Sequence, residues 1–489
     1  MDYRRGGKDE LRTEAVQSAV MACCLCQYRC RILLCICTPC ILLGCLFIYI
    51  TLAVCLSINS STSPVGVPRS PPLPPFFIAS GLNKSGILAP FPIKSFWKYD
   101  LSKEAHWNLI QYIMDRQHNP ILHPRTNTSQ NISDLDNYSR STQQSAGCFP
   151  NYEMIWTVSN YFSLPAQIQR FVISMHCRDY PLLIDQPRVC SKNQSEATML
   201  LLAIKSQASN FENRQAIRKT WGRSGWVKGR LGKGGHVRRV FLLGRNHSGH
   251  DPGIKKNLRE ESNKYGDLLM WDFLDTFFNL TLKDVLFWDW FSKNCWDTRF
   301  VLKGDDDVFV RTPALLDYLN NMEAVRSNTS GHSKMMEDFV VGDVITSAVP
   351  SRSQSSKYFI PDSFYKGMYP LYAGGGGVVY SGALVLRLLQ VSKRVHLFPI
   401  DDVYLGMCLQ RLGVVPIHHP AFLTFDFPEG EAKEHCANHT VLLVHKRSPK
   451  EMQKLWAETL RPSRKCRNTV LRDELLEKKK ENKQNLRKE

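Results

Sequence analysis

Between residues 198 and 307 the chain alternates short apolar runs with stretches of helical period. TMLLLAIKS reads as a buried strand and ENRQAIRKTWG as a helix. VRRVFLLG with IKKNLREESNKYG repeats the pair, DLLMWDF with LTLKDVLFWDWFSKN repeats it again, and RFVLKGDDD closes the series. Such an alternation predicts an α/β domain with an open, mostly parallel sheet and helices on both faces. Ligands of these sheets gather outside the carboxyl ends of the strands, and Asp305, Asp306 and Asp307 fall at one such end. Trp288 and Trp290 lie on predicted helix and read as core. Upstream, FWKYDLSKEAHWNLIQYIMDRQ carries aromatics at helical spacing and predicts an amphipathic helix packed on the same head.

A different pattern governs residues 32–58, ILLCICTPCILLGCLFIYITLAVCLSI, which hold no charge. Roughly 20 apolar residues suffice to cross a bilayer, so this stretch predicts a membrane span; it is too long and too deep in the chain for a cleaved signal peptide. Arg29 and Arg31 flank it on one side, and the first charge beyond it is Arg69. The positive-inside rule therefore predicts a cytosolic tail, 1–31, and a lumenal or extracellular remainder. All ten Asn-x-Ser/Thr sequons, from Asn59 to Asn438, follow the span. Residues 59–95 are rich in Pro and Ser and read as a semi-stiff stem. The head divides into an N-terminal part, 96–197, and the strand–helix region, 198–466; the charged tail 467–489 reads as a solvated helix or disorder.

Nine of the sixteen cysteines lie between Cys23 and Cys55, as small apolar residues of the span or as acylation sites. The other seven, Cys148, Cys177, Cys190, Cys295, Cys408, Cys436 and Cys466, would meet an oxidising lumen, so disulfides are expected with at least one thiol left over. They contain no CxxC pair, which argues against a zinc site. A net charge of +18 suggests nucleic acid, but the basic residues are scattered and no zinc-finger or basic-helix pattern accompanies them.

The triplet in KGDDDVFV carries the first candidate chemistry. Three adjacent carboxylates repel one another, and clustered oxygens suit a hard divalent cation such as manganese or magnesium. An ion there that also held a diphosphate would neutralise a leaving group. An acidic turn capping the next element is the alternative. No Walker loop or GxGxxG follows the first strand, so a glycine cradle for phosphate is not indicated. Gly374, Gly375 and Gly376 belong to a tetraglycine that presents bare backbone, either to a flat sugar ring or as a flexible loop. Tyr369, Tyr372 and Tyr380 flank it, residues whose rings stack on flat ligand faces.

In order, RQAIRKTWG, FNLTLK, FVLKGDDDVFV, YPLYAGGGGVVYSG and IDDVYLGMCLQRLGV resemble the secretory-pathway β-1,3-glycosyltransferase family, and more closely its β-1,3-N-acetylglucosaminyltransferase branch. FWKYDLSKEAHWN, RQHNPIL, LLIDQP and RTPALLDYLN extend the resemblance over about residues 96–466. It implies a GT-A-like open mixed sheet, a nucleotide-sugar donor and a divalent ion, commonly manganese. On that basis Asp307 is the direct metal ligand, Asp305 lies towards the ribose and Asp306 supports them. His445 in LLVHK is a second metal ligand, although an isolated histidine is more often a core residue. Arg214 and Arg218, four apart on one helix face, would meet the donor's phosphates or form a solvated basic face. Asp402 in PIDDVYLG is the expected base of an inverting transfer, with Asp401 as its understudy; either could also cap a helix, and the two roles could hold at once. Tyr369 and Tyr372 would lie on the acceptor side.

The resemblance thus implies a Golgi type II membrane enzyme moving N-acetylglucosamine from UDP-N-acetylglucosamine to the 3-hydroxyl of terminal β-galactose, as in poly-N-acetyllactosamine synthesis. Its acceptors would be glycans of glycoproteins or glycolipids, and a homodimer is among its expected forms. A β-1,3-galactosyltransferase and a non-catalytic glycan-binding membrane protein are the alternatives. Intact Asp305, Asp307 and Asp402 speak against the last.

Overall fold

The computed structural model describes residues 104–117, 148–190, 197–246, 252–327, 336–428 and 430–472, with the paired two-residue strands Phe76–Phe77 and Ala89–Pro90. The chain divides into two compact units, Met1–Leu73 and Pro74–Glu489, and every described residue belongs to the second. Among these residues no helix is long and apolar enough to cross a membrane. The span expected at 32–58, most of the stem and most of the charged tail lie outside them.

In chain order the strands of the main sheet are β1 (Leu182–Ile184), β2 (Thr198–Lys205), β3 (Gly225–Lys228), β4 (Gly234–Arg245), β5 (Leu268–Leu274) and β6 (Phe300–Asp305). After the short β7 (Phe309–Val310) come β8 (Val340–Ile345), β9 (Tyr372–Ser381) and β10 (Ile417–His418). The nine-stranded sheet runs β10-β8-β9-β6-β2-β4-β5-β1, with β3 paired to β4. Strands β6, β2, β4 and β5 are parallel, as the alternation predicts, but β9, β8, β3 and β1 enter antiparallel to their inner neighbours. The sheet is therefore mixed rather than mostly parallel. β7 pairs instead with β12 (Leu443–Val444), which pairs with β11 (Phe422–Leu423).

All eight residues of β2 are buried, because both faces of the sheet are covered. Side chains alternate across a strand, so odd and even positions enter different cores. Leu201, Ala203 and Val301 face one core, with α1 (His106–Gln117), α2 (Ala166–Ser174), α5 (Leu280–Asn294), α7 (Gly382–Ser392) and α8 (Asp401–Leu412). Leu200, Leu202, Ile204 and Leu302 face the other, with α3 (Phe211–Lys219), α4 (Pro252–Tyr265), α6 (Thr312–Ser327), α9 (Pro449–Leu460) and the small sheet. Trp288 and Trp290 are buried in the first core. Of the upstream amphipathic stretch, residues 106–117 are helical; Trp107 is buried and its indole N–H donates to the carbonyls of His396 and Leu397.

Three disulfides join six of the seven cysteines from Cys148 onward, Cys148–Cys177, Cys190–Cys295 and Cys436–Cys466. Among the described residues Cys408 is the free thiol, and it is buried.

Candidate active site

The acidic triplet stands where β6 ends and the chain turns into β7. Lys205 of β2 is the register partner of Asp305, and Ala203 that of Lys303. With a side-chain period of two, Lys205, Lys303 and Asp305 share one face of the sheet, the face that α5 and α8 cover. Asp306 turns elsewhere. Its carboxylate accepts from Ser206 Oγ at 2.6 Å and Asn210 Nδ2 at 3.0 Å, so it ties down the loop after β2 and is not presented to a donor.

Asp305, Asp307 and His445 bring one ligand atom each to within 4.8 Å of one another. His445 Nε2 is 3.2 Å from Asp307 Oδ1 and 3.9 Å from Asp305 Oδ2. Nδ1 donates to the Thr424 carbonyl at 2.9 Å, which fixes the tautomer and points Nε2 at the carboxylates. Burial alone would lower the histidine's pKa, but Asp307 and then Asp305 raise it. Asp305 is pushed up to about 7, first by burial and then by Asp401, Asp402 and Asp307, against Lys205. Asp305 thus belongs to one cluster with Asp307 and His445. The backbone N–H of Arg447 donates to the Asp307 carbonyl at 2.6 Å and holds the turn.

Asp401 and Asp402 open α8, and no side-chain cap is formed by the residue before them. Their environments differ sharply. Asp401 is bound by Lys205 and lies 3.3 Å from Lys303 Nζ. Although burial opposes it, these two ammonium groups hold its carboxyl well below the usual carboxylate range. Asp402 touches only Lys303, Oδ1 at 3.3 Å among the ion pairs of this cluster, and burial with the neighbouring Asp401 raises its pKa to about 6. Asp401 is therefore locked as a structural anion, and Asp402 has the environment of a base.

The tetraglycine is the interior of β9, not a loop. A Cβ at Gly374 would stand 2.3 Å from Thr424 Oγ1, one at Gly375 2.8 Å from Asp402 Oδ2, and one at Gly376 3.1 Å from His445 Cβ. These glycines give Asp402 and His445 room to sit against the strand. Tyr380 is fully buried, and Tyr369 is packed among Tyr365, Tyr372 and Phe398, so neither offers a face to a sugar. Half-buried Tyr372 alone remains at the site; burial and then Asp402 raise its pKa to about 12.

Arg214 and Arg218 are turned inward. Arg214 binds both oxygens of Glu261, at 2.8 and 2.7 Å, and donates to the carbonyl of Ala208. Arg218 binds Glu261 at 2.7 Å and both oxygens of Asp267. Their shared face looks onto α4 and the start of β5 rather than to phosphate or solvent, because a guanidinium so deeply buried requires carboxylate partners.

Lys205, Lys303 and Asp284 complete the site and are absent from the candidates named on sequence. The signal was present: each is a charge inside an apolar run, in LLLAIKS, FVLKG and LKDVLFW, and a buried charge needs a partner. Lys205 lies 2.9 Å from Asp284 Oδ1 and Lys303 3.0 Å from Asp284 Oδ2.

A family model described as Galactosyltransferase matches residues 212–420. N-acetyllactosaminide beta-1,3-N-acetylglucosaminyltransferase 2 of Mus musculus is 43% identical over 385 residues, covering 78% of this chain and 91% of that one. The protein of the same name from Homo sapiens is 43% identical over 376 residues, 77% and 89% of the two chains. N-acetyllactosaminide beta-1,3-N-acetylglucosaminyltransferase 4 of Homo sapiens is 43% identical over 329 residues, 66% and 80%.

Proposed function

Because this chain belongs to the galactosyltransferase family, in its β-1,3-N-acetylglucosaminyltransferase branch, we propose that it is a UDP-sugar-dependent, inverting transferase of the GT-A type. It moves N-acetylglucosamine from UDP-N-acetylglucosamine to the 3-hydroxyl of terminal β-galactose on glycans of glycoproteins or glycolipids. One observation carries the reading: the Asp305–Asp307–His445 cluster and Asp402 gather at the end of β6, with Asp402 against Gly375 and His445 against the adjacent Gly376.

The donor set fits a divalent ion, two carboxylates and an imidazole whose tautomer is fixed. Asp305, Asp307 and His445 would hold manganese or magnesium, which supplies charge neutralisation for the departing diphosphate. Asp402 takes the proton of the acceptor hydroxyl while the oxygen attacks opposite the leaving group, which inverts the anomeric centre. A base with pKa about 6 is ionised at neutral pH yet still basic enough to accept that proton. Asp401, fixed by two lysines, keeps its charge and takes no part in the transfer. Residues 32–58 anchor the enzyme in the Golgi membrane with residues 59–95 as stem, and the three disulfides agree with an oxidising lumen.

The test supplies full-length protein in detergent with UDP-N-acetylglucosamine, manganese and a lactose-type acceptor, and measures UDP release. Release is expected to need the acceptor, to stop with a chelator and to return with manganese. Product from UDP-galactose alone would make the chain a β-1,3-galactosyltransferase. Retained glycan binding with no release from either donor would make it a lectin.

A further inference from the structure

Lys303 is placed as no structural lysine needs to be. Its Nζ lies 3.0 Å from Asp284 Oδ2, 3.3 Å from Asp401 Oδ2 and 3.3 Å from Asp402 Oδ1. An ammonium has three donors, and here each meets a different carboxylate. Lys205 takes the remaining oxygen of Asp284 and shares Asp401 Oδ2. The groups come from four elements: Lys205 from β2, Asp284 from α5, Lys303 from β6 and the aspartate pair from α8. Lys303 and Asp284 are 5% and 1% exposed, Asp402 17%. Buried ion clusters contribute little to stability compared with apolar packing of the same volume, so stability does not account for this one.

We propose that Lys303, seated on Asp284, is the positioning residue that fixes the Asp402 carboxylate for proton abstraction. The proposal rests on the reading of Asp402 as base. Lys303 engages Oδ1, and Oδ2 is left against Gly375, where the absent Cβ gives it space. Lys205 performs the matching task on Asp401, which separates the roles of two adjacent aspartates. Asp284 anchors both ammonium groups from the α5 side. Sliding or truncating Lys303 would free the Asp402 side chain to rotate about a helix N-terminus.

The groups that face Asp402 are Asp401 on its own helix, Lys303 and Asp305 from β6, Lys205 from β2, Asp284 from α5 and Tyr372 from β9. Of these, Lys303 favours the ionised carboxylate and Asp284 opposes it. Removing the one or the other should move the acid limb of the rate profile in opposite directions.

The experiment measures kcat and KM against pH for the full-length chain in detergent, as wild type, Lys303→Gln and Asp284→Asn, with UDP-N-acetylglucosamine, manganese and a lactose-type acceptor. Donor affinity is read separately by tryptophan fluorescence. Lys303→Gln should lower kcat about 100-fold while donor KM stays within about threefold, with its acid limb moved to higher pH. Asp284→Asn should lose less and move the limb to lower pH. Should Lys303→Gln fail to bind donor, the limb shift in Asp284→Asn decides. Unchanged kcat in Lys303→Gln, or acid limbs that move the same way or not at all, overturns the positioning role. Absence of transfer by the wild type would instead overturn the reading of function, so the two failures are distinguishable.

Discussion

Gly375 shows how far one hydrogen atom can matter at a site. A Cβ there would stand 2.8 Å from Asp402 Oδ2, closer than a methyl and a carboxylate oxygen tolerate, so either the strand or the base must move. Gly375→Ala is expected to reduce kcat about tenfold or more with donor affinity within about threefold, since misplacement of a reacting group by an ångström costs rate before it costs binding. Steady-state kinetics beside a donor titration would show it, and an unchanged kcat would remove the steric role. As the proposed base, the same carboxylate would set the pH dependence. Asp402 must be ionised to accept a proton, and its pKa is raised to about 6 by burial and by Asp401. With the metal site saturated, transfer should therefore rise with pH through about 6 and level off above it. Asp402→Asn should keep donor binding, lose about 10²- to 10⁴-fold in transfer, and lose that limb from any residual activity. Turnover retained in that variant would dismiss Asp402 as the base.

At the scale of the element, α3 and α4 are held together through charge. Arg214 and Arg218 converge on Glu261, and Arg218 shares Asp267 with Arg239. Glu261→Gln would leave two buried guanidinium groups short of one carboxylate, and breaking a buried pair from one side costs about 3–5 kcal/mol. Equilibrium denaturation should show a loss of that order; a change under about 1 kcal/mol would mean that water or Asp267 takes over. The sequence made part of this legible. A spacing of four does place both arginines on one helix face, but it cannot say whether that face looks at solvent, a ligand or another helix, because the answer depends on Glu261, 47 residues away from Arg214. The same limit applied to AGGGG. Four glycines announce a close approach to backbone, yet what approaches, Asp402 and His445, arrives from α8 and the end of β12. The burial of Tyr369 and Tyr380 is hidden from the sequence for a related reason: Phe398 and Trp288, which pack on them, are distant along the chain.

Over the whole described unit, the parallel strands from Thr198 to Asp305 and the helices between them could be read directly, since each apolar run is bounded by a helical stretch that must cross back over the sheet. The antiparallel β9 could not, because nothing in YAGGGGVVYS reports that Gly377 pairs with Gly304. Nor could the pairing of seven cysteines, which only three-dimensional proximity decides. The structure makes Cys190–Cys295 the long tie, with a sequence separation of 105 against 30 for Cys436–Cys466. Closing a longer loop removes more entropy from the unfolded chain, about 4.7 kcal/mol for a loop near 100 residues and about 3 for one of 15. Replacing Cys190 and Cys295 together by serine should therefore lower Tm by more than the same change at Cys436 and Cys466. Cys295 also caps α5, the helix that carries Asp284 behind both lysines. Loosening it should disturb the aspartate pair as well as the fold, so the 190/295 variant is expected to lose kcat at temperatures where it is still folded. The 436/466 variant, whose bridge lies outside that helix, should keep its kcat up to its own melting range. Kinetics and circular dichroism followed along one temperature series would compare them, and loss of activity only in step with unfolding in both variants would show that the long disulfide acts on stability alone.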